Sequence, residues 1–165
     1  MFTIKKRVSF VTQLGFTLIE LMVVVAIIGL LLAAGLASYT SVQKTARDGR
    51  RIQDTKAIQD AVEQYRGANA LYPTAANFTN ANMAPYFSTG VIPTPPNGGT
   101  LVVGGPAAGA TAYEYTTTAA ADNYCVCTSV ENGLKGNATA NAAGVCTFVT
   151  TPTATTNRYC LTGQQ

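Results

Sequence analysis

The sequence contains no histidine, and only 12% of its 165 residues are charged. Without histidine, the chain lacks the usual general base near neutral pH and the commonest metal ligand. It also lacks a Gly-X-Ser-X-Gly nucleophile motif, a phosphate-binding glycine loop and a paired acidic cluster in its C-terminal part. These absences argue against an enzyme, and they give no reason to expect a bound metal or another cofactor.

Excess positive charge is confined to the N-terminus. The chain has 11 basic and 8 acidic residues, and Lys5, Lys6 and Arg7 account for the whole difference. The chain from residue 16 onward is therefore neutral overall and has no net charge to attract nucleic acid. Its lightly charged composition, rich in Ala, Gly, Thr and Asn, suits packing against copies of the same chain.

A long apolar run follows these basic residues. Residues 16–39 are almost wholly apolar, and as a helix they would extend roughly 36 Å, enough to cross a hydrocarbon core of about 30 Å. The basic residues should stay in the cytoplasm, which places residue 40 onward outside. An ordinary signal anchor, or a secretory signal cleaved after Gly35-Leu36-Ala37, would explain the run but not its one charged residue, Glu20.

Glu20 requires a partner, because a carboxylate inside an apolar helix costs about 2.5–3.5 kcal/mol at the centre and less near the interface. Cleavage of the Gly15–Phe16 bond would create a positively charged α-amino group four positions before Glu20, on the same helical face. The same cleavage would remove the basic leader.

The segment Gly15-Phe16-Thr17-Leu18-Ile19-Glu20 lies between a basic leader and an apolar helix, and it resembles the class III signal of type IV prepilins and type II secretion pseudopilins. The resemblance implies that a prepilin peptidase cleaves between Gly15 and Phe16 and N-methylates Phe16. It also implies that Glu20 pairs with the N-terminus of a neighbouring subunit during filament assembly. An unpaired carboxylate would then penalise wrong registers.

The fold expected from the residues and the resemblance is α+β. A long N-terminal helix, membrane-spanning in its first half and amphipathic in its second, packs on a small C-terminal antiparallel β-sheet, as in the pilin fold. The expected parts are a cleaved leader (1–15), a transmembrane and assembly helix (16–39), a polar helical stalk (40–54) and a globular head (55–165).

The second half of the helix is predicted to end near Gly67. The mixed charges from Arg47 to Asp54 are interpreted as a solvated stalk surface. Farther along, apolar residues recur on one helical face, which should dock on the sheet. These residues are Ile58, Ala61, Val62 and Tyr65.

The C-terminal third shows the alternation typical of β-strands. Residues 112–118 and 123–131 flank a turn candidate and are predicted to pair as a hairpin. Residues 144–150 and 157–163 are predicted to form further short strands. The region before them, 68–111, is expected to be a long loop that contains a short helix.

All four cysteines lie in the last 41 residues, and their even number in an exported chain predicts two disulfides. The Cys-X-Cys spacing does not favour a zinc site. Cys125 and Cys127 should point to the same face of one strand, roughly 6.5–7 Å apart, so each is expected to bond to Cys146 or Cys160. The preferred pairing is Cys127–Cys146 and Cys125–Cys160.

The sequence therefore predicts a filament subunit. The main hypothesis is a type IV pilus-like filament that serves adhesion, motility or DNA uptake, and the alternative is the major pseudopilin of a type II secretion system. Another alternative, from a different functional class, is an exported disulfide-rich binding domain. The expected partners are copies of itself, other pilins, the prepilin peptidase, the assembly platform and the inner membrane, with no specific nucleic acid.

The expected location changes with assembly. The prepilin should reside in the cytoplasmic membrane as a single-pass protein with its head outside. The assembled subunit should then belong to an extracellular or cell-surface filament.

Overall fold

The computed structural model describes residues 15–96, 98–104, 112–142, 145–151 and 157–163. Most of the predicted leader lies outside the described residues. The chain divides into a first unit, Met1–Thr40, and a second unit, Ser41–Gln165. Helix α1 (Leu18–Asn69) contributes residues to both units.

The described part of the first unit comprises residues 15–17 and the apolar beginning of α1. Every residue from Leu18 to Leu36 is exposed, and the most apolar 18-residue window of α1 has a mean hydropathy of 2.7 with none of its residues buried. By length and composition, α1 is the one helix among the described residues that can cross a membrane.

The second unit begins with the remainder of α1, whose apolar face is buried as predicted. Ile58, Ala61 and Val62 are fully buried. The helix continues past Gly67, the predicted stop, to Asn69. It ends where Ala70 adopts a left-handed φ of 63° and its N–H donates to the carbonyl of Arg66. A single residue in this conformation turns the chain away from the helix axis.

Two short helical segments follow α1, within the range where a short helix was predicted. Helix α2 covers Asn80–Met83, and a 3-10 turn follows at Ala84–Tyr86. The Thr79 side chain caps α2 by accepting a hydrogen bond from the N–H of Asn82. Met83 is fully buried and helps close the core.

One six-stranded sheet occupies the rest of the described residues, in the order β1-β2-β3-β6-β4-β5. Its strands are β1 (Leu101–Val103), β2 (Tyr113–Thr117), β3 (Tyr124–Ser129), β4 (Ala138–Ala142), β5 (Val145–Phe148) and β6 (Arg158–Thr162). The predicted β2–β3 hairpin is confirmed. Two strands were not predicted from the sequence: β1, which pairs parallel to β2, and β4.

The main hydrophobic core lies between α1 and one face of the sheet. Tyr113 and Tyr115 of β2 share this face with Tyr124 and Val126 of β3, because side chains two apart on a strand point the same way. The opposite face carries a second, smaller core formed by the cysteines and Ala138. The amphipathic part of α1 therefore has its apolar partner within the same chain.

Candidate functional site

The start of α1 is built around Thr17 and Glu20. The N–H and Oγ1 of Thr17 both donate to Oε2 of Glu20, at 2.8 and 2.7 Å. In return, the N–H of Glu20 donates to Oγ1 of Thr17 at 3.3 Å. This reciprocal pattern is a capping box, which satisfies N–H groups that have no partner inside a helix. The Thr-X-X-Glu pattern of this capping box is present in the sequence, although no capping box was predicted from it.

The predicted cleavage site lies directly before this capping box. Gly15, Phe16 and Thr17 are exposed and non-helical, and α1 begins at the next residue. Phe16 is 90% exposed. The Gly15–Phe16 peptide bond therefore lies in accessible, non-helical backbone, as a protease substrate requires.

Glu20 is surrounded by apolar side chains that face outward. Phe16, Ile19 and Val23 line the same surface patch as Glu20. Within the described residues, the carboxylate receives hydrogen bonds only from Thr17, and both of these reach the same oxygen atom. Its other oxygen, Oε1, is therefore left available to a donor from outside the chain.

A buried charge network lies farther along α1, and it corrects the interpretation of this stretch as a solvated surface. Asp48 and Arg51 are 0% and 1% exposed. Oδ1 of Asp48 accepts hydrogen bonds from Nη1 of Arg51 at 3.1 Å and from the N–H of Glu131 at 2.8 Å. Its Oδ2 accepts from the N–H of Asn132 at 2.9 Å. Asp48 thus holds the backbone that follows β3.

Glu131 completes this network from the opposite side. It accepts a bidentate pair from Arg47, with Nε to Oε1 at 2.7 Å and Nη2 to Oε2 at 2.5 Å. Nη1 of Arg51 lies 3.0 Å from Oε1 of Glu131. The hydrogen bonds from Arg47 hold the pKa of the Glu131 carboxyl at about 2, well below its usual value. The positive charges of the two arginines therefore balance the negative charges of the two carboxylates within the second unit.

Tyrosines of the sheet bind carboxylates of α1. The Tyr113 hydroxyl donates to Oδ2 of Asp54 at 2.6 Å, and the Tyr124 hydroxyl donates to Oε1 of Glu63 at 2.9 Å. Burial is the main cause that raises the pKa of both tyrosines, followed by these hydrogen bonds. The contacts give the helix–sheet interface a polar edge that fixes its register.

The cysteines form two disulfides, but the preferred pairing from the sequence is wrong. The structure joins Cys125 to Cys146 and Cys127 to Cys160 instead of Cys127–Cys146 and Cys125–Cys160. The reason is strand order, because β6 lies next to β3 and places Cys160 directly opposite Cys127, with 4.1 Å between the Cα atoms.

The four sulfur atoms lie within 4.8 Å of one another, a spacing that free thiolates could use to hold a metal ion. All four are joined in disulfide bonds, and no described cysteine is free. The cluster therefore acts as a covalent crosslink between β3 and the two strands that carry Cys146 and Cys160.

Comparisons with known proteins agree with the N-terminal motif. The family described as "Prokaryotic N-terminal methylation motif" matches residues 12–36. Type II secretion system core protein G of Vibrio cholerae serotype O1 is 36% identical over 62 residues, which cover 38% of this chain and 42% of that protein.

Other relatives carry the same name. The Escherichia coli K12 protein is 36% identical over 62 residues and the Aeromonas hydrophila protein 34%, each covering 38% of this chain and 43% of the relative. The match thus covers about two fifths of the length of these relatives. No solved structure matches the chain.

The methylation motif, the exposed apolar helix and the helix-on-sheet fold all indicate the same kind of protein, a pilin-like chain. The secretion relatives are distant, and each is matched over only part of its length. The chain carries a class III signal with an N-terminal methylation motif, and in this motif and its helix-on-sheet fold it is similar to type IV pilins and pseudopilins.

Proposed function

We propose that the chain is a membrane-anchored filament subunit that is cleaved between Gly15 and Phe16, methylated at Phe16 and polymerised through the first part of α1. The observation that carries this proposal is the uninterrupted exposure of apolar residues from Leu18 to Leu36 behind the capping box. So much apolar surface needs a bilayer or neighbouring helices.

Glu20 has a defined role in this proposal. Thr17 shields one of its carboxylate oxygens while the subunit is alone, and the methylated α-amino group of a neighbouring Phe16 pairs with the other during assembly. Subunits in a wrong register leave the carboxylate unpaired in an apolar environment, which disfavours them.

The chain works in this proposal as a pseudopilin of a type II secretion system. The secretion proteins among its relatives support this alternative over the type IV pilus that the sequence analysis favours. The partners are copies of the chain, other pilin-like subunits, the prepilin peptidase and an assembly platform in the inner membrane. The work is mechanical, and no catalytic step is assigned to it.

The proposed parts follow from this processing. The leader (1–15) is removed, residues 16–39 insert and assemble, and residues 55–165 form the exported head. Residues 40–54 join the two parts, and their Asp48 and Arg51 pack against the head. The precursor resides in the cytoplasmic membrane with the head outside, and assembly transfers it into a filament.

Mass spectrometry of the purified chain from its native cell tests the processing. We expect the mass of a chain that begins at Phe16 with one added methyl group and two disulfides. A chain that retains the leader, or begins near Ser38, would overturn the proposal in favour of an anchor or an exported domain.

A deletion strain separates the two filament types. Loss of the pseudopilin should leave secreted proteins in the periplasm, and a plasmid copy should restore their release. Normal secretion together with the loss of surface filaments would instead identify a type IV pilus.

A further inference from the structure

The loop after β3 presents an exposed leucine beside two lysines. Leu134 lies in a 3-10 turn, Gly133–Lys135, and is 67% exposed. Lys44 of α1 lines the same surface groove, whose volume is about 300 Å³. Nζ of Lys135 reaches the carbonyl oxygen of Thr45 at 3.3 Å. Apolar and cationic groups thus share one surface of the second unit.

This surface is positively charged. The nearby acids are already neutralised, since Glu131 pairs with Arg47 and Asp48 is buried against Arg51. Within the described ranges, neither Lys44 nor Lys135 forms a salt bridge. Their positive charges are therefore not neutralised by a described acidic side chain and can attract an anionic surface.

The loop is held in place and does not collapse to bury Leu134. Asp48 accepts the N–H groups of Glu131 and Asn132, and Oδ1 of Asn132 accepts the N–H of Leu134 at 3.2 Å. The buried network of α1 thus fixes the backbone that leads into the turn. Leu134 is therefore held in an exposed position beside the two lysines.

Chain connectivity limits how far Lys44 can lie from the end of the apolar run. Lys44 follows Tyr39, the last residue of the apolar run, by five positions. Five residues span at most about 18 Å when extended, and about 8 Å as a helix. The helical distance equals about one Debye length at physiological salt, so the lysines lie within the range of charged lipid headgroups.

We propose that Leu134, Lys44 and Lys135 form a membrane-docking surface that rests on anionic phospholipids while the subunit is still anchored. Leu134 inserts among the headgroups, and the two lysines bind phosphate oxygens. This inference rests on the proposed function, because it requires the apolar run to be in the bilayer.

The absence of tryptophan from the sequence allows a direct test. The full-length variant Leu134→Trp has a single tryptophan emitter and is reconstituted into vesicles of phosphatidylcholine, with or without phosphatidylglycerol, whose acyl chains are brominated. The control is Leu71→Trp, because Leu71 is 53% exposed and follows the end of α1 at Asn69, about 38 Å along the helix from Lys44. We expect blue-shifted, strongly quenched emission at position 134 in anionic vesicles, and unquenched emission at position 71.

Replacing the lysines tests the charge. Each lysine should contribute about fivefold to the ratio of docked to undocked protein. The variant Lys44→Gln/Lys135→Gln in the Leu134→Trp background should therefore lose most of its quenching in anionic vesicles. The proposal would be overturned if quenching were equal at positions 134 and 71, or if it were unchanged when both lysines are replaced.

Two further measurements identify what has failed. A blue shift that follows protein density and not lipid composition would identify a second copy of the chain as the partner and overturn lipid docking. Flotation with the vesicles and resistance to alkaline extraction report on the anchor alone. If the Leu134→Trp variant floats but its tryptophan stays unquenched, only the docking surface is defeated. If it does not float, the proposed function is defeated as well.

Discussion

The two parts of α1 have the same secondary structure and opposite relations to the rest of the chain. From Leu18 to Leu36 every residue is exposed, whereas Asp48, Arg51, Thr55, Ile58 and Val62 form a buried face. The later part packs on the sheet, and the earlier part has no such partner among the described residues. Burial against the sheet stabilises the later part of α1, whereas a bilayer or other subunits are needed to stabilise the apolar earlier part.

The acidic residues show the same difference. Glu20 takes its hydrogen bonds from Thr17, three positions away. Asp48 binds the backbone at positions 131 and 132, more than 80 residues away. A substitution of Glu20 should therefore affect assembly and spare the fold, and a substitution of Asp48 should do the reverse.

The largest effect is expected at Glu20. Glu20→Gln keeps a residue that can complete the capping box but removes the charge, and Glu20→Ala removes both. Both variants should insert into the membrane and fail to form filaments, because no carboxylate pairs with the incoming amine. Filament yield and membrane fractionation measure this, with Asp60→Asn as the exposed acidic control. Normal filaments from Glu20→Gln would reduce the role of Glu20 to local capping.

The next largest effect is expected at Asp48. Asp48→Ala leaves the buried Arg51 without one of its two carboxylates and removes the acceptors of two backbone N–H groups. The free energy of unfolding should fall by about 3–5 kcal/mol. Urea unfolding of the full-length chain in detergent, followed by tyrosine circular dichroism, measures the loss. Asp60→Asn on the same helix should lie within about 0.5 kcal/mol of wild type.

The disulfides come next. The matched variant Cys127→Ser/Cys160→Ser should contain no free thiols and lose about 2–4 kcal/mol of unfolding free energy. The mismatched variant Cys127→Ser/Cys146→Ser removes one partner from each disulfide and should expose two thiols or unfold more easily still. Thiol titration in denaturant reports the connectivity. Peptides joined through Cys127–Cys146 or Cys125–Cys160 in a non-reducing map of the wild-type chain would contradict the observed pairing.

A smaller effect is expected from the tyrosine hydroxyls. Tyr113→Phe removes the hydrogen bond to Asp54 and should cost about 1.5–3 kcal/mol of unfolding free energy, with the exposed Tyr39→Phe as control. Since burial raises the pKa of Tyr113, its contribution is complete below about pH 10, the usual tyrosine value, and is lost as the pH rises above it. Tyr113→Phe should accordingly weaken the alkaline loss of stability.

The smallest effect is the acid dependence of Glu131. Its pKa is lowered from 4.5 to about 2, so its contribution to stability is complete above pH 4.5 and is lost as the pH falls towards 2. Glu131→Gln should be less stable than wild type at neutral pH, and the difference should shrink over this acid range. A difference that stays constant with pH would rule out ionisation of Glu131 as the cause.

Local signals explain which parts of the fold could be predicted from the sequence. The apolar run, the buried helical face at Ile58 and the β2–β3 hairpin each depend on residues close in the chain. The disulfide pairing depends on β6 lying between β3 and β4, an arrangement of strands that are distant in sequence. The sequence favoured Cys127–Cys146 because these cysteines lie on strands predicted to follow one another in the chain. The order of strands in sequence carries no information about their order in the sheet.

The sequence by itself determined that α1 begins with an apolar segment and that the chain carries a methylation motif, since both are properties of contiguous residues. Only the tertiary structure decided that Asp48 and Arg51 are buried and that Leu134 is held outward. A charged residue on a helix can be solvated or buried, and the choice depends on which distant backbone lies against it. Here that backbone is the loop after β3, whose N–H groups need the carboxylate of Asp48 as an acceptor.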